Sequence, residues 1–167
     1  MTTKNKSVAA TPLLTLPSER EIVITRVFDA PRALLFDALT KPEHVRHWYG
    51  PSNLKMTACE IDLRVGGRWR YVLRAPDGGE YAFSGEYREI VPPARIVSTE
   101  VYEAMPGTDY LVTMTLAENA GKTTLTSHQL YQSQEHRDGH LNSGIEDGVR
   151  ESYERLDEVL HTLALPR

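Results

Sequence analysis

Hydrophobic positions along this chain switch between two periods. In EIVITRVFDAP, Ile22, Ile24 and Phe28 alternate with Val23, Thr25 and Val27, and Arg26 interrupts the first set. Period two predicts a strand. The stretch ends at Asp29-Ala30-Pro31, a helix-start signal with proline in the first turn. PRALLFDAL then places Leu34, Leu35, Ala38 and Leu39 at helical spacing. Thr40 and Glu43 have the spacing of a capping box for a second helix, on which Val45 and Trp48 lie three apart. Gly50-Pro51 stops it, because proline cannot continue the hydrogen-bond ladder.

From Lys55 to Tyr131 the pattern is nearly all strand. Turn signals at Gly66-Gly67, Asp77-Gly78-Gly79, Pro92-Pro93, Pro106-Gly107 and Asn119-Ala120-Gly121 divide it into six segments. Six strands with tight turns predict an antiparallel meander, and the first strand makes seven. The period then returns to helical. Leu141, Ile145, Val149, Leu156, Leu160 and Leu163 form one apolar stripe, and Ser143 with Glu146 offers a capping box. SQEHRDGH before it reads as a helical turn or a bent first segment. Residues 1–19 read as a flexible tail, docked if at all through Leu13, Leu14 and Leu16, and residues 20–165 as a single domain.

A curved sheet cannot bury its inner face alone. The final helix is the natural lid, and the arrangement tends to leave a hollow between the two. Trp69, Tyr71 and Leu73 share one strand face, with Arg68, Arg70 and Arg74 opposite. Tyr81, Phe83 and Tyr87 share a face of the next strand around Gly85. Trp48 and Tyr49 stand at the Gly50-Pro51 corner, either as an aromatic wall at the mouth of the hollow or as a plug fixing the helix pair to the sheet.

FDAPRALLFDALTKPEHVRHWYGPSN, followed by Asp62 through Gly67, Gly85, Pro92-Pro93 and the late Ser143-Gly144, Gly148 and Leu156, resembles the heat-shock-protein-90 ATPase activator homologue family. That family belongs to the START-like, birch-pollen-allergen-like helix-grip (SRPBCC) superfamily. The resemblance runs from about Arg20 to Leu163. It implies an α+β helix-grip fold: a curved antiparallel sheet of about seven strands around a long C-terminal helix, with two short helices after the first strand. It also implies a small hydrophobic or aromatic ligand, and by the family's name a chaperone as a second partner. The superfamily further includes cyclases and dehydratases, so fold alone does not fix activity. The expected ligand-binding residues are Trp48, Tyr49, Trp69, Tyr71, Phe83, His128, Ile145, Val149 and Tyr153.

Composition narrows the classes. A net charge of −4 without a basic run gives no nucleic-acid signature. The lone Cys59 excludes an internal disulfide framework and suits a reducing, cytoplasmic setting. No apolar run approaches a membrane span, so no membrane insertion is expected. No phosphate-loop or nucleophile-elbow motif occurs, and no cofactor is expected. His136 and His140 have i,i+4 spacing but no third ligand, so they read as surface residues with no metal. His44 and His47 read as facing water. His128 alternates with Thr126 and Leu130. It enters the hollow if that face is concave, and is otherwise a satisfied or solvent-facing histidine. Glu100 and Tyr102 pose the same inside-or-outside question. General acid–base work has no compelling pair, only His128, Tyr153 or Glu100 as candidates. Gly144 and Gly148 predict either a close approach of the last helix to the sheet or space left for a ligand. A monomer and a homodimer are equally compatible with the pattern.

Overall fold

The computed structural model describes residues 11–165. One antiparallel sheet of eight strands forms the body. In chain order these are β1 (Leu13–Thr15), β2 (Glu21–Phe28), β3 (Lys55–Ile61), β4 (Arg68–Arg74), β5 (Glu80–Val91), β6 (Arg95–Tyr102), β7 (Tyr110–Asn119) and β8 (Lys122–Leu130). Four helices accompany them among the described residues: α1 (Arg32–Thr40), α2 (Pro42–Trp48), α3 (Gln134–Leu141) and α4 (Ile145–Ala164). The spatial order β1-β2-β8-β7-β6-β5-β4-β3 means that β3 to β8 run as a meander and that β2 closes onto β8. The expected helix-grip arrangement is present, with one strand more than the sequence suggested. Leu13–Thr15, expected within a loose tail, pairs with Val23–Thr25 of β2.

Alternation defines the inner face. Ile22, Ile24, Arg26 and Phe28 of β2 stand opposite Gln129, Ser127, Leu125 and Thr123 of β8, and all eight are buried. The same row continues through Val112 and Leu116, then Ile96 and Ser98, then Tyr87, then Trp69, Tyr71 and Leu73. Onto this face α4 lays Ile145, Ser152, Tyr153, Leu156 and Leu160. Leu141, expected on that stripe, instead ends α3, and the chain turns before α4 at Gly144, whose φ is 91°. β3 is an edge strand whose pairing with β4 shifts register between Met56 and Ala58.

Helix starts are held differently from the sequence reading. Neither Asp29 nor Thr40 nor Ser143 caps a helix. The Thr40 hydroxyl donates to its own helix at Phe36 O (2.7 Å), and the Ser143 hydroxyl donates to His140 O (2.6 Å). A short hydroxyl near a helix end reaches either direction, so spacing alone does not choose. The first backbone N–H of α1, at Arg32, is satisfied by Glu118 Oε1 from the end of β7, 86 residues away (2.7 Å). Ser133 does cap α3, accepting from His136 N.

The Gly50 corner fixes the lid. Its N–H donates to Ser152 Oγ (3.0 Å) and its carbonyl accepts from Arg155 Nη1 (2.8 Å), both on α4. Beneath it lies Leu73 of β4, and a Cβ at Gly50 would sit 2.8 Å from Leu73 Cδ1. The residue also has φ 90°, a region that side chains disfavour. A second tie is the buried guanidinium of Arg26, whose Nη1 lies 3.6 Å from Asp157 on α4 and which lies 4.3 Å over the Phe28 ring.

Two outcomes follow for thermal unfolding. Gly50→Ala combines left-handed strain with the Leu73 contact and is expected to cost about 1–3 kcal/mol, read as a melting temperature lower by several degrees. An unchanged midpoint would remove the corner from the list of structural constraints. Gly148 lies inside α4, and a Cβ there would meet nothing within 4 Å. Gly148→Ala is therefore expected to stabilise by about 1 kcal/mol through helix propensity alone. A fall in melting temperature would mean that the helix backbone sits closer to its neighbours than described.

Candidate functional site

The inner face carries one carboxylic acid amid tyrosines. Glu100 is opposite Tyr110 in the β6–β7 register, in line with the buried pair Ser98 and Val112. The Tyr110 hydroxyl donates to Glu100 Oε2. Burial raises the Glu100 pKa above its ordinary value, and the Tyr110 hydrogen bond opposes the rise in part. Burial, with the nearby Glu100 charge adding to it, also raises the pKa of Tyr49, Tyr71, Tyr110 and Tyr131. Tyr153 is raised by burial, with Arg26 opposing and Glu100 assisting. The five phenols come from the end of α2, from β4, from β7, from the residue after β8 and from α4, and all surround one acid.

The rings pack in two groups. Tyr49 meets Tyr71 edge-on at 4.7 Å and Phe83 at 6.2 Å, and Trp69 lies 4.7 Å from Tyr71. On the other side Tyr110 stacks on Tyr131 at 4.6 Å with planes 24° apart. The Tyr131 oxygen is 2.8 Å from Gln129 Oε1 and 2.5 Å from His140 Nδ1. Burial lowers the His140 pKa to about 4, so its imidazole is neutral at neutral pH. Glu100, Tyr49, Phe83 and Tyr110 keep partial solvent contact even though protein atoms crowd around them.

Several expected site residues meet here, and others do not. Tyr49, Tyr71, Trp69, Phe83 and Tyr153 converge on this face. Trp48 is 7% exposed and its Nε1–H donates to Ala38 O (2.8 Å), so its polar atom serves the α1–α2 joint, as a plug would. Ile145 is in the core. Val149 lines a separate hollow of about 60 Å³ beside Leu14 and Ile24, on the β1 side of α4.

His128 lies on the outer face. Its neighbours in β8, Ser127 and Gln129, are the buried ones, and its Nε2 contacts Glu21 Oε2. Of the two alternatives the sequence leaves open, the outward, satisfied histidine is the one present, so His128 is not among the groups on the inner face. The inward side of β8 is mostly polar, with Thr123, Ser127 and Gln129 buried there. His140 and His136, expected at the surface, are half-buried, and His140 joins the tyrosine network. Among the described residues no cluster of three or more His, Cys, Asp or Glu could hold a metal ion. Sequence reasoning passed over Tyr110, Tyr131 and Gln129. Tyr110 was detectable, since it shares the parity of Val112 and Leu116. Tyr131 was not, since it follows the strand. A second groove, of about 390 Å³, lies on the outer face between Arg68, Arg88, Thr99 and Glu103.

Comparison with known proteins agrees with this architecture. A crystal structure of a protein from Rhodobacter sphaeroides superposes with TM-score 0.86 at 28% identity, covering 91% of this chain and 99% of that one. A protein from Nitrosomonas europaea (TM-score 0.80, 23% identity, 89% of this chain and 98% of that one) shares the fold. So does one from Arthrobacter aurescens (TM-score 0.80, 22% identity, 91% and 92%). No protein with curated function matches. The family model described as "Activator of Hsp90 ATPase homolog 1-like protein" matches residues 29–161. That match takes in α1, the Gly50 corner, the Glu100 cluster and nearly all of α4, and this chain belongs to that family.

Proposed function

We propose that this protein binds a small hydrophobic or aromatic molecule between the inner face of the sheet and α4. Tyr49, Tyr71, Trp69, Phe83 and Tyr153 supply apolar and ring contacts, and Glu100 with Tyr110 supplies the polar one. The observation that carries the reading is Glu100. A carboxyl group facing the core costs several kcal/mol to hold charged without a partner, on the order of the penalties for buried ions. Partial solvent contact at Glu100, Tyr49 and Phe83 favours a recess beside it. Pockets of this kind are mostly apolar with a few convergent polar groups. The reading includes a cytoplasmic setting. The described residues hold no helix long and apolar enough to cross a membrane.

A second reading is general acid–base catalysis on a bound ketone-like substrate. It is favoured by the Glu100–Tyr110 hydrogen bond, since an acid of raised pKa beside a hydroxyl is an arrangement such chemistry uses. Chaperone regulation, by the family's description, is a third. It is tested by whether the protein changes the ATP turnover of heat-shock protein 90.

Binding is tested by thermal unfolding and tryptophan fluorescence against a panel of flat apolar compounds. A true ligand at ten times its Kd is expected to raise the melting temperature by roughly 3–6 °C and to change emission through Trp69. Silence across the panel would sink the reading.

The acid itself is tested by pH. Glu100 has its pKa raised above 4.5 in the folded protein by burial. The folded state therefore holds this proton to higher pH than the unfolded chain. The associated stability is complete below the ordinary carboxylate range and is lost as pH rises through the raised value. Glu100→Gln keeps an acceptor for Tyr110 and removes the loss. The variant is expected to melt higher than the parent at pH 8 and nearly equal to it at pH 4. A difference that stays constant across that range would mean that Glu100 is not strained by burial.

A further inference from the structure

Among the described residues, no cation is paired with the acid at the centre of the proposed recess. Its one hydrogen-bond partner among the described residues is the neutral hydroxyl of Tyr110. Arg26, the buried cation on the same face, is engaged by Asp157 at 3.6 Å and by the Phe28 ring at 4.3 Å. His140 contacts Tyr131 and is neutral above about pH 4. The remaining neighbours are electron-rich rings, Tyr49 with Tyr71 on one side and Tyr110 with Tyr131 on the other. A carboxylate among aromatic faces is complementary to a positive charge in two ways, by ion pairing and by cation–π attraction.

Resting on the binding reading above, we infer that the ligand is an organic ammonium, a protonated amine on an apolar or aromatic body. Its N–H groups pair with the Glu100 carboxylate and its charge lies against the rings of Tyr49 and Tyr71. A neutral ligand would leave the ionised acid with the Tyr110 hydrogen bond and no opposite charge. Binding of the amine strengthens as pH rises, because the partner is the ionised carboxylate. The other titratable groups facing it do not interfere between pH 5 and 8. Tyr49, Tyr71, Tyr110, Tyr131 and Tyr153 are all shifted upward, and His140 is already neutral. Arg26 stays charged throughout, because guanidinium does not lose its proton in this range.

The test compares two probes of nearly equal shape, phenethylammonium and phenethyl alcohol, by calorimetry and tryptophan fluorescence on the full chain. The amine stays protonated throughout, since alkyl ammonium groups titrate near about pH 10. At pH 8 the amine is expected to bind at least about tenfold tighter than the alcohol, and the margin is expected to shrink at pH 5. Glu100→Gln is expected to bring the two within about twofold of each other, and His128→Asn, on the outer face, is expected to keep the full preference. An alcohol that binds as tightly as the amine overturns the inference and leaves the binding reading standing. A preference that survives Glu100→Gln also overturns it, because the cation then binds elsewhere. If neither probe binds while compounds of the apolar panel do, the ammonium assignment falls alone. If the panel is silent too, both fall.

Discussion

Everything on the inner side of this protein depends on how high α4 rides above the sheet, and a backbone contact sets that height. Gly50 offers its N–H to Ser152 and its carbonyl to Arg155 while resting on Leu73. A residue with a side chain would push the corner off Leu73 or lift the helix. Trp48, two residues earlier, holds α2 against α1 through Ala38 O. The aromatic corner is therefore a spacer first. Tyr49, between the plug and the spacer, is the residue left to face the interior.

On the face that α4 covers, Glu100 stands out. A tightly filled interior would have no use for an acid, and hydrophobic residues of similar volume would serve stability better. The protein instead surrounds it with phenols, of which one donates to it. Holding an acid there costs stability, a cost that the binding role proposed above would account for.

The fold was legible because its elements obey clean periods. Ile22, Ile24 and Phe28 announce β2, and Leu156 and Leu160 announce the buried side of α4. The site was legible only where large aromatics sit on an apolar face, as with Trp69, Tyr71 and Phe83. His128 shows the limit. Alternation separates two faces but does not say which is inside, and on β8 the inside is polar. Thr123 donates to Ala30 O, and Gln129 accepts from Tyr131, so those side chains are buried because they are paired. The first of these joins residues 93 apart and leaves no local trace, and the second depends on a tyrosine that lies beyond the end of the strand. The start of α1 likewise depends on a distant residue, since Glu118 accepts from the Arg32 N–H. Leu13–Thr15 was too short a run to stand out, and it becomes a strand only because β2 offers it an edge.

The register shift between Met56 and Ala58 has a consequence for how this molecule behaves in a crowd. β3 is the last strand of the sheet, and an unguarded last strand invites a stranger's backbone to extend it. A bulge breaks the even ladder that such an invader would need, and the exposed Lys55 and Glu60 add a desolvation cost near either end. The irregularity thus acts as a guard against fibre growth, and restoring perfect pairing there would trade solubility for regularity.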